Sequence, residues 1–86
     1  MNSVFKVKAT ELLKDYEGKN LEEVGSRLAD KSTYNHNYYR LPNGLELLEA
    51  FDEYYAEGDI FGIIDGQEFL IGYTDTDNII HIGIAS

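Results

Sequence analysis

Residues 43–57 read NGLELLEAFDEYYAE, and their apolar and polar positions separate at helical spacing. At about 100° per residue, Leu47, Leu48, Ala50, Phe51, Tyr54 and Tyr55 share one broad arc. Glu46, Glu49, Glu53 and Glu57 gather on the opposite side within roughly 80°, with Asp52 at the boundary. Asn43 and Glu46 have the spacing of a capping box. Pro42 disfavours helix at Leu41, and Gly58 supplies a stop. The pattern predicts an amphipathic helix with a core-facing arc and a row of carboxylates.

The rest of the chain alternates between the two periods. Phe5, Ala9, Leu12 and Tyr16 follow helical spacing, with Leu13 beside them, and predict a helix over residues 10–17 that ends at Gly18. Residues 3–8 suit either its extension or a strand, because Val4, Phe5 and Val7 favour strands. Asn20 caps a second helix, in which Leu21, Val24 and Leu28 share a face and Gly25 is a weak point. In TYNHNYYRLPNG, Tyr34, His36, Tyr38 and Arg40 alternate with Asn35, Asn37, Tyr39 and Leu41, as a strand or an ordered loop would.

The C-terminal part reads as a three-stranded meander over residues 60–64, 67–74 and 79–84. Asp65-Gly66 is a strong type I′ hairpin signal. It sets Ile64 against Gln67, Gly62 against Phe69 and Ile60 against Ile71. A four-residue second loop sets Thr74 against Ile79, Tyr73 against Ile80 and Ile71 against Ile82. One face then carries Ile60, Ile64, Phe69, Ile71, Tyr73, Ile80, Ile82 and Ile84 as the core. The other carries Phe61, Ile63, Leu70 and Ile79, which is apolar enough to be a contact surface. The expected fold is one small α+β domain over residues 1–86. It has two N-terminal helices, an extended Tyr-rich segment, and a third amphipathic helix packed on the C-terminal antiparallel meander.

Charge changes this picture most. The formal net charge is −9 over 86 residues. All seven bases (Lys6, Lys8, Lys14, Lys19, Arg27, Lys31 and Arg40) lie in the first 40 residues, and the remaining residues hold ten acids and no base. Such a half-molecule repels nucleic acid and anionic membrane and suits a basic partner. No cysteine is present, which fits a cytoplasmic protein. No apolar run approaches the length of a membrane span or a signal peptide.

Catalytic constellations are missing from the sequence. His36 and His81 are the only histidines and lack metal-ligand spacing. Asp75-Thr76-Asp77-Asn78 resembles the start of a calcium loop without its glycine or distal glutamate. Ser26, Ser32 and Thr33 have no nucleophile context. The expectation is a protein that is not an enzyme and carries no cofactor or metal. Its leading role is to occupy a basic surface of a partner protein, such as a nucleic-acid-binding enzyme, as an inhibitor or immunity protein, with nucleic-acid mimicry as the finer form. In general style its anionic surface is similar to that of small acidic phage inhibitors and toxin-immunity proteins, without a diagnostic motif of any one family. The expected partner-binding residues are Glu46, Glu49, Glu53, Glu57, Asp65, Asp75 and Asp77, with Tyr34, Tyr38 and Tyr39 as anchors. The competing expectation is a structural module that forms a homodimer through Phe61, Ile63, Leu70 and Ile79.

Overall fold

The computed structural model describes residues 3–84. Its main element is a curled six-stranded antiparallel sheet, a half-barrel, with one substantial helix against it. The helix α1 spans Ser3–Lys14, and a single turn of helix, α2, spans Leu21–Val24. The strands are β1 (Ser26–Arg27), β2 (His36–Arg40), β3 (Glu46–Asp52), β4 (Glu57–Ile64), β5 (Gln67–Thr74) and β6 (Ile80–Ile82). They lie side by side in sequence order.

This overturns the expected three helices and three-stranded meander. Residues 43–57 form no helix. They contain the end of one hairpin, strand β3, and the turn into β4. Pro42-Asn43-Gly44 is a three-residue hairpin loop: Leu41 N donates to Leu45 O, Gly44 N donates to Leu41 O, and Gly44 has φ +94°. Pro pre-sets one turn position and Gly takes the left-handed one, so the chain reverses here. Strand β3 is then paired along both edges, to β2 from Arg40↔Glu46 to His36↔Ala50 and to β4 from Glu46↔Ile63 to Asp52↔Glu57. Leu and Glu hold only a weak helical preference, which tertiary pairing overrides. Asn43 does not cap a helix of its own. Its Nδ2 donates to Leu12 O at 2.8 Å and so ties the hairpin to the end of α1.

The second reversal also answers to turn chemistry. Asp52 Oδ1 accepts from Tyr54 N at 2.9 Å and Tyr55 N at 3.4 Å, and Ala56 takes a left-handed φ of 57°. The two tyrosines expected in the core therefore stand at the tip of a turn, 85% and 63% exposed. Their rings meet edge to face at 4.8 Å.

Other boundaries move as well. Helix α1 takes in residues 3–8 and stops at Lys14, short of the expected Glu17. The second helix keeps its cap, Asn20 Oδ1 accepting from Glu23 N, but ends before Gly25, and the chain enters β1 at once. Between β4 and β5 the expected register holds from Ile64↔Gln67 to Gly62↔Phe69, and then a bulge sets Ile60 against Gly72. The last register is shifted by one residue, with Thr74↔Ile80 and Tyr73↔His81. The bulge, by adding Ile71 to β5, takes Tyr73 off the core face, and on the other face its ring stacks on that of His81 at 4.8 Å. Ile84, also expected in the core, is exposed.

Cross-strand partners share a face, so the pairing sorts the side chains. The concave face carries the rows Tyr39–Leu47–Gly62–Phe69, Asn37–Glu49–Ile60–Gly72–Ile82 and Phe51–Gly58–Thr74–Ile80. Helix α1 covers one end of it, and Ala9, Leu13 and Leu21 close a core with Tyr39, Leu41, Leu45, Leu47, Ile60, Ile71 and Ile80. The outer edge of β6 is occupied too. Gly18 N donates to Ile80 O, Ile80 N to Lys19 O, and Leu21 N to Asn78 O, all at 2.8–2.9 Å. No described helix is long and apolar enough to cross a membrane.

Candidate functional site

The end of the concave face that α1 leaves uncovered is a groove of about 420 Å³. Its lining comes from six places in the chain. Glu22 arrives on α2, Tyr34 on the loop before β2, and Asn37 and Tyr39 on β2. Glu49 and Phe51 lie on β3, Glu53 on the following turn, and Asp75 and Asn78 on the loop before β6. Four of these are acids and none is a base.

Glu49 is the unusual member. Strand alternation turns it into the concave face between Leu47 and Phe51, and it is only 3% exposed. Gly58 makes room for it, since a Cβ there would meet Glu49 Cγ at 2.7 Å. Thr74 Oγ1 donates to its Oε2 at 2.6 Å, and Asn37 Nδ2 donates to its Oε1 at 3.4 Å. Both donors are neutral. Arg27 reaches this network one step away, its Nε donating to Asn37 Oδ1 at 3.1 Å. Tyr39 packs beside the pair. Burial first, then the charges of Glu49 and Glu22, push its hydroxyl up to about 12.

The rim is aromatic and acidic. Tyr34, 81% exposed, donates its hydroxyl to Glu53 Oε2 across the mouth, and that hydrogen bond raises the tyrosine above its ordinary value. Asn35, Phe51, Asp52 and Tyr54 continue the surface beyond Glu53. At the opposite rim His81 Nε2 lies 2.7 Å from Asp75 Oδ2, while Asp77 N and Ile79 N donate to Asp75 Oδ1. The His81 hydrogen bond, helped by those two backbone donors, holds the Asp75 carboxyl below its usual range.

A pH dependence follows from that depression. A carboxyl whose folded-state value is lowered stabilises the fold fully above its unfolded value and loses this contribution as pH falls through the folded value. The relevant window is therefore acidic, below roughly pH 4. Urea denaturation should show that Asp75→Asn is less stable than the parent at pH 7 but loses less between pH 5 and 3. Equal losses for both proteins would contradict the linkage.

The structure thus brings together Tyr34, Tyr39, Glu49, Glu53 and Asp75 of the expected partner-binding residues. It breaks up the row of carboxylates. Glu46 points to the convex face, where Arg40 Nη2 at 2.8 Å and Lys31 Nζ at 3.2 Å pair with it, and the Arg40 hydrogen bond leads in holding its carboxyl low. Glu57 starts β4 on that same face opposite Asp52. Asp65 is in the turn at the far end of β4, with a left-handed φ of 53°. Asp77 belongs to the Asp75 loop, where its carbonyl accepts from Asn20 Nδ2. Tyr38 lies on the convex face under Lys31. That face also carries the cross-strand row Tyr38–Leu48–Phe61–Leu70, with Ile63 in the next row. Ile79 is apart from them, bridged to Asn20.

Sequence reasoning missed Glu22, Asn37, Phe51 and Asn78. Asn37 and Tyr39 could have been placed together from the alternation in β2. Glu49 and Phe51 required β3 to be read as a strand. Among the described residues, no three His, Asp or Glu side chains gather closely enough to hold a metal ion. Comparison with family models, with curated proteins and with solved structures finds no match to this chain.

Proposed function

We propose that the chain is a non-enzymatic binding protein that occupies a basic surface of a partner protein, with the acidic groove and its tyrosine rim at the centre of the contact. One observation carries this reading. Four carboxylates line a groove that has no basic side chain, beside Tyr34 and Tyr54, two tyrosines more than half exposed. Tyrosine supplies much contact area for little entropy and is enriched among interface hot spots. The carboxylates supply steering, which raises association rates with basic partners and rejects acidic ones. The reading covers an inhibitor or immunity protein, and an enzyme that binds nucleic acid is one class of partner with a suitably basic surface. It does not extend to nucleic-acid mimicry, for which the row of glutamates is too sparse by itself and must share one side with the turn acids Asp65, Asp75 and Asp77. Glu46 and Glu49 now stand on opposite faces of the sheet. The cysteine-free sequence suits a reducing compartment, the cytoplasm, for this encounter.

The test is the rate of association with a partner captured from the native host. Glu22→Lys combined with Glu53→Lys should slow association at least tenfold. The parent's own rate should fall steeply between roughly 50 and 300 mM salt. A rate indifferent to both changes would defeat the proposal.

A further inference from the structure

We infer that the deep end of the groove is a receptor for one guanidinium group, an arginine side chain of the protein partner, with Glu49 as its anion and Tyr34, Tyr39 and Phe51 as its walls. This rests on the proposed binding of a basic partner and names the group that enters.

The argument starts from unequal treatment of acids. Outside the groove, Glu46 is paired with Arg40 and Lys31, and Glu11 with Lys14. On its rim, Asp75 is paired with His81. Glu49 is more buried than any of these, yet its hydrogen bonds come from a hydroxyl and an amide. Carboxylates removed from water are ordinarily matched by a cation, because neutral donors replace only part of the lost hydration. A carboxylate offers about four acceptor positions, and Thr74 and Asn37 fill one each. Two remain, which is what a bidentate guanidinium fork requires.

The surroundings choose among cations. A metal ion needs ligands that converge, and among the described residues no such trio exists. The acids are spread instead around a groove of about 420 Å³, which accommodates an extended side chain. Three aromatic rings line it. A guanidinium is planar, weakly hydrated and stacks on such rings, whereas an ammonium is compact and strongly hydrated. The chain's own Arg27 does not fill the place. It holds Asn37 Oδ1 and thereby turns the amide nitrogen toward Glu49. Glu22, Glu53 and Asp75 add the attraction that draws the cation in.

The experiment is an NMR titration of the intact protein with the blocked tripeptide acetyl-Gly-Arg-Gly-amide and its lysine and citrulline counterparts. The arginine peptide should bind at least threefold tighter than the lysine peptide and at least tenfold tighter than the neutral citrulline one. Shifts should centre on Asn37, Glu49 and Phe51. Glu49→Gln should weaken the arginine peptide at least tenfold. Phe51→Leu, which leaves the Glu49 network intact, should weaken it about threefold and provides the reading if Glu49→Gln does not fold. Equal affinity for lysine, shifts confined to Tyr38 and Phe61 on the convex face, or full binding by the variants would each overturn the inference. Partner association that stays salt-sensitive while the variants bind the arginine peptide normally would remove the guanidinium site and leave the acidic-surface reading standing. Salt-insensitive association with normal arginine-peptide binding by the parent would instead defeat the acidic-surface reading, and with it the assignment of the site to a partner's arginine.

Discussion

Gly72→Ala should lower the free energy of unfolding by roughly 2–3 kcal/mol, the upper range for forcing an extra methyl into a packed core. For a domain of this size that is a fall in Tm of about 10–20 °C. The side-chain direction at residue 72 lies on the concave face just past the bulge at Ile71, in the row that pairs Ile60 with Ile82. A Cβ there would press on the backbone carbonyl oxygen of His81 and meet Leu13 Cδ2 at 3.0 Å. The first obstacle is backbone of the neighbouring strand, which cannot rotate away as a side chain can. The strands must part, and the hydrogen bonds between β5 and β6 weaken with them. Thermal unfolding followed by circular dichroism gives the result directly, and an unchanged Tm would mean that the close approach of β5 and β6 is misplaced.

Leu13→Ala should cost more, about 3–5 kcal/mol, the usual price of emptying a fully buried leucine site. Leu13 is 0% exposed and lies on α1, which packs against β4, β5 and β6 and is the only long helix among the described residues. Domains hold roughly 0.05–0.15 kcal/mol of net stability per residue, so this single loss is a large share of what 86 residues can muster. Chemical denaturation should show the midpoint displaced with little change in slope. The two substitutions meet at one contact, and their combination is informative. Alanine at 13 removes the Leu13 obstacle to a methyl at 72 but not the one at His81. The double variant should therefore be less destabilised than the sum of the singles, yet no more stable than Leu13→Ala alone.

Local signals made some of the architecture legible and misled elsewhere. Asp65-Gly66 was read from its two residues, because a type I′ turn needs left-handed backbone twice and both residues adopt it, at φ 53° and 74°. Asn20 was read from its cap. Residues 43–57 failed because two patterns coexist there. Leu47, Leu48, Ala50 and Phe51 fit a helical arc, yet as a strand they alternate, Leu47 inward and Leu48 outward, and both leucines are still buried. A strand apolar on both faces carries no period-2 signature. Pro42-Asn43-Gly44 carries a hairpin signal as well as the spacing of a helix start, and in the fold the hairpin prevails. Once that segment was made a helix, Glu49 became one exposed carboxylate in a row of four, and the groove could not be foreseen. Tyr34, Glu53 and Asp75 were singled out individually for their chemistry, but what joins them is the curl of the sheet, which depends on six strands pairing in order.

The covered edge of β6 has a bearing on how any partner can attach. An exposed strand edge invites another chain to extend the sheet through main-chain hydrogen bonds, which are indifferent to side chains and hard to make selective. Here the last strand gives its outer carbonyl and amide to residues 18–21 of its own chain. At the other margin β1 contributes only Ser26 and Arg27. Among the described residues this leaves at most a two-residue template for strand addition, too short to seed either a complex or a fibril. Recognition must then be written in side chains, which lets substitutions change the choice of partner without disturbing the sheet that presents them.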